Sequence, residues 1–497
     1  MKIGFNNEKY ITMQSEHIRE RIAKFGGKLY LEFGGKLFDD YHASRVLPGF
    51  APGSKIKMLQ QLKEDVEMII VVNANDIVKN KVRGDLGITY DEDALRLIEI
   101  FRGLGFYVGG VVITQFAGQE QAIAFRNKLG NVGVPSFLHY TIAGYPSDVN
   151  HIVSENGFGK NEFVETKKPL VVVTAPGPGS GKMATCLSQL YHEYKRGVRA
   201  GYAKFETFPI WNLPLKHPVN VAYEAATVDL DDVNMIDPFH LEAYGKTTVN
   251  YNRDVEIFPV LRSMMEMIQG ESPYQSPTDM GVNMAGLCIE DDEAVREAAK
   301  HEILRRYYTA LVDFARHGTG EKCIEKLELL MQQTGVTADI NPLIARAAEV
   351  ERVTTTPAAA MMMDDGTIVT GKTSALLGCA AALVLNALKY LAGIDKDTDI
   401  ISPNDLEPLC KLKLEHLHHH NPRLHSDEVL IALTMSATHN EDAAKALKCL
   451  DMLKNKEAHF TVIPSAVDEK LYKTLGILLS CEPKFSKKSL HIPEIDA

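Results

Sequence analysis

The chain carries 65 acidic and 54 basic residues in 497, a formal net charge of -11, with 45% hydrophobic and 24% charged side chains. That length exceeds one compact core and points to about three domains, while the composition excludes a mainly disordered or collagen-like chain. The acid excess repels a polyphosphate backbone over most of the surface, so nucleic acid is not an expected partner.

The opening stretch MKIGFNNEKYITMQSEHIRERIAKFGG scatters its charges and has no apolar core of signal-peptide length. Short β-rich runs then alternate with helical periodicity: KLYLEF, a helix around KIKMLQQLKED, VEMIIVVNA, a helix DEDALRLIEIFRGLG, YVGGVVITQF, a helix QEQAIAFRNKLG, and PSFLHYTI. Strands separated by helices of this length need crossover connections, which predicts a doubly wound, mostly parallel sheet. PLVVVTA is apolar throughout, as a central parallel strand should be, and runs into the loop APGPGSGK at 175–182 and a helix MATCLSQLYHEYKRG. AGYAKFETF returns as a further strand. The proline-rich IQGESPYQSPTDMGVN marks a boundary region. From about Glu290 to Thr337 helical spacing dominates, with acidic starts and basic ends. The last third resumes α/β character with AAAMMM, TIVT, an alanine-rich helix, DEVLIALTMSATH and HFTVIPS. The chain therefore reads as multi-domain α/β: an α/β domain at 1–270, a mainly helical domain at 271–350, and a C-terminal α/β region at 351–497.

The most apolar stretch, SALLGCAAALVLNALKYLAG, is interrupted by Asn386 and Lys389 and is expected as a buried helix, not a membrane span. The seven cysteines lie far apart with no C-x-x-C, which fits neither a zinc ribbon nor a disulfide framework and suits a reducing cytoplasm.

Two glycine loops compete as phosphate sites. GTIVTGKT at 366–373 satisfies G-x-x-x-x-G-K-[ST]. Yet Asp364-Asp365-Gly366 before a β-branched run is a hairpin signature. If 367–370 are extended, Gly366 and Gly371 lie on the order of 15 Å apart and cannot wrap one phosphate. Thr373 or Ser374 is expected to cap the following helix, and Gly393 to end it. A lesser role stays open, with Gly371, Lys372 and Thr373 presenting N–H groups and a charge to an anion at a helix start. APGPGSGK fails the pattern, with Pro176 in place of the first glycine and Met183 in place of the magnesium-binding hydroxyl. Its context is nonetheless right: a buried strand feeds a glycine-rich loop that opens a helix. The N–H groups of Gly179, Ser180, Gly181 and Lys182 can converge on an anion, with Lys182 adding a full charge, and Gly177 counts with them among the cofactor-binding candidates of the loop. Pro178 has no N–H to give. If Mg2+ is needed, Ser180, Thr185 or a distant carboxylate must supply the oxygen.

Ligands in doubly wound sheets bind beyond the carboxyl ends of the strands. The segments there carry Lys36, His42 and Arg45, then Asn73, Asp76, Lys81, Arg83 and Asp85. Basic residues beside glycines suit a polyanionic small molecule, although each loop taken alone also fits a solvated surface. His42, Arg45 and Lys81 join the loop as cofactor-binding candidates, and Lys182, Arg83 and Asp76 are the catalytic candidates. Asp229, Asp237 and His240 in AATVDLDDVNMIDPFHLEAYG are candidate metal ligands or simply caps and acidic loop residues. EHLHHHNPRLHSDE offers five histidines at no standard zinc spacing and reads first as a solvated run; Arg423 and His425 precede a helix start at Ser426. No H-E-x-x-H or nucleophile elbow is present.

Taken together, FGGKLFDDYHASRVLPGF, NKVRGDLGITYD, KPLVVVTAPGPGSGKMATCLSQLYHE, NMIDPFHLEAYG, SPTDMGVNMAG, IVTGKTSALLG and NPRLHSDEVLIAL closely resemble a bacterial family catalogued as domain of unknown function 1846. The resemblance covers nearly the whole chain. It implies a multi-domain α/β protein with a helical domain and no established catalytic residues. Some relatives carry the label ATP-dependent peptidase; no protease constellation is present here, and the ATP half rests on APGPGSGK. The leading expectation is a cytoplasmic enzyme that binds a phosphorylated small molecule, ATP among the candidates, with Mg2+, and performs transfer or ligation. The rivals are a non-catalytic homo-oligomeric assembly or ligand sensor, and a metal-dependent hydrolase. A homo-oligomer without nucleic-acid or membrane partners is expected in the leading case too.

Overall fold

The computed structural model describes residues 2–35, 37–38, 40–83, 86–419 and 421–486. Lys36 and Asp85, named above, lie outside these residues, as does His420 of the histidine run. The chain divides into two compact units, residues 2–299 and the residues from Lys300 onward.

The first unit is built on seven strands: β1 (Leu29–Phe33), β2 (Val66–Asn73), β3 (Tyr107–Phe116), β4 (Ser136–Tyr140), β5 (Leu170–Thr174), β6 (Gly201–Phe205) and β7 (Gly281–Val282). Their spatial order is β7-β6-β1-β5-β2-β3-β4, and every neighbouring pair is parallel. The α/β reading of the sequence holds. β1, β2 and β5 are buried at every position, which is why they read as mainly apolar or β-branched runs, interrupted by Glu32, Glu67 and Asn73, instead of alternating ones. Each fully buried Val or Leu of β5 contributes about 1.5–3 kcal/mol by its removal from water.

The order of the strands places the loops. From β1 the chain moves outward through β2, β3 and β4; from β5, which lies between β1 and β2, it moves the other way to β6 and β7. Right-handed crossovers running in opposite directions put their helices on opposite faces of the sheet. The loops that leave adjacent β1 and β5 therefore diverge, and the crevice between them is the switch point where such sheets bind ligands.

The second unit has a four-stranded sheet. β8 (Ala358–Met362) and β9 (Ile368–Lys372) form an antiparallel hairpin, β10 (Glu457–Phe460) pairs antiparallel with β8, and β11 (Leu478–Cys481) lies parallel to β10. The helix Cys379–Leu391 is the alanine-rich segment, and its Leu383, Val384 and Leu388 pack in a core with Val429, Leu433, Phe460 and Tyr472. Among the described residues no helix is long and apolar enough to cross a membrane.

Candidate active site

The loop 175–182 leaves β5 at the carboxyl edge of the sheet and opens the helix Lys182–Lys195. Its shape follows from its composition. Gly179 and Gly181 take positive φ angles of 72° and 91°, a region that costs a side chain strain. Gly177 lies so close to Tyr90 that a Cβ there would collide with its hydroxyl, and a Cβ on Gly181 would come within 3.1 Å of Thr114. The neighbouring strand ends hold the loop by its carbonyls: Asn73 Nδ2 donates to Gly179 O at 3.3 Å, and Thr114 Oγ1 donates to Ser180 O at 2.5 Å.

With its carbonyls turned back onto β2 and β3, the loop leaves its donors unused. Among the described residues nothing accepts a hydrogen bond from the backbone N–H of Gly177, Gly179, Ser180, Gly181, Lys182, Met183 or Ala184. Ser180 is 2% exposed and Thr185 fully buried, and neither hydroxyl has a partner among the described residues. A buried hydroxyl left without a partner costs about 1–3 kcal/mol, so a fold seldom keeps one that serves only structure. Lys182 itself is half-buried and forms no ion pair among the described residues. Burial pushes its ammonium below the ordinary value; Glu32 on β1 opposes this and Lys204 on β6 adds to it. It is a cation without a fixed counter-ion at the positive end of a helix dipole.

Beside Lys182 lies a second group of charges. Glu32 accepts from Tyr202 Oη at 2.7 Å. Lys204 Nζ is 2.6 Å from Glu206 Oε1 and 2.5 Å from Asp254 Oδ2, and it also contacts Tyr251 Oη. Burial disfavours the Lys204 ammonium, but Asp254, Glu206 and Glu32 outweigh it and hold its pKa well above the ordinary value. Burial raises the Glu206 carboxyl to about 7, against Lys204 and with help from Asp254. Sequence reasoning misses these residues because each sits inside an ordinary strand or helix start. The one available signal is a lysine and a glutamate flanking the aromatic end of AGYAKFETF.

The other candidates fall at different removes. Asp76 and Lys81 pair at 3.4 Å, and the Lys81 ammonium stands 5.1 Å from the Tyr90 ring that abuts Gly177, so both border the loop. Arg83 donates to the fully buried Asp93 at 2.8 Å. His42 packs against Phe208 and Tyr223, and burial lowers the Arg45 pKa while Asp40 resists. Tyr223 links this group to the charge cluster through its coupling to Glu206 and Lys204.

Asp229, Asp237 and His240 are not brought into one ligand set. Asp229 is exposed on a short turn, and Asp237 caps the helix Pro238–Tyr244, accepting from Phe239 N and His240 N as well as from Thr278. His240 Nδ1 meets Ser276 Oγ at 2.9 Å. No cluster of three or more His, Cys, Asp or Glu suited to a metal occurs among the described residues, those of the histidine run included.

In GTIVTGKT the hairpin signature holds. Gly366 turns the chain at φ 85°, and Ile368–Lys372 is extended β9. Gly371 packs directly on the backbone of Leu383, where a Cβ would not fit. The helix begins at Cys379, not at Thr373 or Ser374, because Leu376, Leu377 and Gly378 are first engaged by the backbone of Leu424. The second unit also has a depression of about 500 Å³ lined by Asp399, Asp405, His439 and Glu441, whose acid excess disfavours an anion.

The sequence matches the family described as domain of unknown function DUF1846, its N-terminal part over residues 3–335 and its C-terminal part over 339–491. It is 58% identical to a UPF0371 protein of Corynebacterium urealyticum over 490 residues, 98% of this chain and 99% of the relative. A UPF0371 protein of Streptococcus thermophilus is 56% identical over 490 residues, covering 99% of both chains.

Proposed function

Because the chain belongs to the DUF1846 family over nearly its whole length, which brings no activity with it, we propose a function from the site itself. The loop 175–182 binds the phosphate of a small phosphorylated molecule, nucleotides included, and the protein is an enzyme of transfer or ligation. The observation that carries this reading is the set of unused donors: consecutive backbone N–H groups and the Ser180 hydroxyl without acceptors, beside a lysine without a counter-ion. Such a set matches the oxygens of a phosphate at a helix start.

Phosphoryl chemistry asks a protein chiefly to position the groups and stabilise charge. Lys182 and the loop would neutralise charge on the transferred or leaving oxygen. Mg2+ accompanying a nucleotide would be held mainly by phosphate oxygens and water, with Ser180 of the loop or Thr185 of the helix's first turn supplying a hydroxyl.

Calorimetric titration of the full chain with ATP, ADP, pyrophosphate and a sugar phosphate, each with and without Mg2+, tests this. At least one binds the wild type, and Lys182→Ala weakens it roughly tenfold to a hundredfold, the worth of one charge-assisted hydrogen bond. Absence of binding to the wild type, or equal binding to both proteins, contradicts it.

A further inference from the structure

Glu206 follows the last residue of β6 at the same edge of the sheet as Lys182. Its two oxygens are treated differently. Oε1 is clamped by Lys204 Nζ at 2.6 Å and by Tyr251 Oη at 2.7 Å. Oε2 has no partner among the described residues, yet it is not among the atoms sealed from solvent. Gly34 at the end of β1 packs closely on this strand end: a Cβ there would lie 2.9 Å from Phe205 O and 3.7 Å from Glu206 Cγ.

The charge count around Glu206 also leaves a proton to place. Glu206 and Asp254 both converge on the single ammonium of Lys204, and Glu32 adds a third carboxylate to its surroundings. Two carboxylates on one buried cation favour keeping one proton between them. The groups facing Glu206 are Lys204 from β6, Tyr251 and Asp254 from the chain around the start of the helix Asn252–Gln269, and Tyr223 from the helix Pro218–Ala226. Lys182 and Glu32 act on it through Lys204.

We propose that Glu206 is the proton-transfer group of this site, with Oε1 fixed by Lys204 and Tyr251 and Oε2 presented to the reactants. The proposal rests on the phosphate-binding reading of loop 175–182 and adds the class of second reactant, a nucleophile that must lose a proton as it attacks, as an alcohol does. As the alcohol oxygen bonds to phosphorus, its proton passes to Oε2 of ionised Glu206. The bond from phosphorus to the leaving oxygen breaks, and the electron pair stays on that oxygen, where Lys182 stabilises it. Lys204 and Tyr251 are positioning residues. A carboxyl raised to about 7 by burial sits at the pH where it can both take and return a proton.

The test uses the full chain and two readouts. Infrared titration of the carboxyl bands, wild type against Glu206→Gln, asks for a carboxyl that titrates near neutrality and vanishes in the variant. Calorimetry with ATP or pyrophosphate at pH 7, in two buffers of different ionisation heat, counts protons. A phosphate beside Glu206 raises its proton affinity, so the wild type takes up a fraction of a proton on binding. Glu206→Gln is expected to bind within about threefold of wild type with that uptake lost, and Glu206→Asp to keep it. Binding without proton uptake in the wild type, or the same uptake in Glu206→Gln, overturns the proposal. If no phosphorylated probe binds the wild type, the phosphate reading fails by itself. The infrared titration then decides on Glu206: a neutral-range carboxyl absent from Glu206→Gln supports a proton-transfer role, and no such carboxyl refutes it. Should Glu206→Gln fail to fold, Glu206→Asp and wild type carry the same comparison through the size of the neutral-range shift.

Discussion

Ser180 is where structure and binding pull apart most clearly. Its hydroxyl is buried without a partner among the described residues, so in the ligand-free protein it costs stability that a methyl group would not. Ser180→Ala is therefore expected to leave the thermal midpoint unchanged or raise it, while weakening binding of a phosphorylated ligand by about fivefold or more. A turn with no ligand role gives the opposite pattern, a lower midpoint or no change in affinity, read by thermal unfolding and calorimetry on the same preparations. Gly177, Gly179, Gly181 and Lys182 can be singled out in the sequence because a strand, two prolines and alternating glycines before a lysine leave the chain few conformations. The partners that bring the loop to its task cannot: Asn73, Thr114 and Tyr90 come from β2, the end of β3 and the start of the helix Tyr90–Gly103. Asp237 shows that composition alone does not fix a residue's part in the fold. Its oxygens are eligible for a metal by type, but a helix start three residues from His240 uses them first.

Among whole elements, the two glycine loops differ in the structure into which each one leads. In APGPGSGK the helix begins at the lysine; in GTIVTGKT the glycine and lysine are still inside β9. The pattern match is uninformative, and the hairpin signal of Asp364-Asp365-Gly366 is the better guide, because turn chemistry is local and phosphate wrapping is not. The start of the helix Ser426–Ser436 is legible too, and the structure adds its anchor. Asp468 accepts from Ser426 N, Ser426 Oγ and Ser465 Oγ, and pairs with His425 Nδ1 at 3.1 Å. The Asp468 hydrogen bond raises the His425 pKa above 6.5, partly offset by burial. Burial alone would raise the Asp468 pKa, but His425, Ser426 and Ser465 outweigh it and hold it below 3.8. The raised histidine contributes stability fully below pH 6.5 and loses it as pH rises through its folded pKa. The depressed aspartate contributes above pH 3.8 and loses it as pH falls through its folded pKa. The stability lost in Asp468→Asn, on the order of 2 kcal/mol, is thus expected to be greatest between those two values and smaller at pH 8. Denaturant midpoints at pH 5 and pH 8 check this; an equal or larger loss at pH 8 contradicts it.

For the molecule as a whole, the order of strands and helices is readable because a period of 3.6 and an unbroken apolar run are written locally. The spatial order β7-β6-β1-β5-β2-β3-β4 is not, since it depends on which crossover passes over which strand. With that order hidden, Glu32, Lys182, Lys204, Glu206 and Asp254, spread over more than two hundred residues, cannot be seen as one group. The central claim is that a phosphorylated ligand sits on 175–182 of the first unit and not on 366–373 of the second. Hydrogen exchange across the full chain, with and without the tighter binder of ATP and pyrophosphate, measures this directly. Slowed exchange is expected at the amides of Gly177 and of 179–184, where the structure leaves the N–H groups without acceptors, and none in the segment 366–373. Protection that falls on 366–373, or that spares 177–184 while ligand is bound, contradicts the assignment.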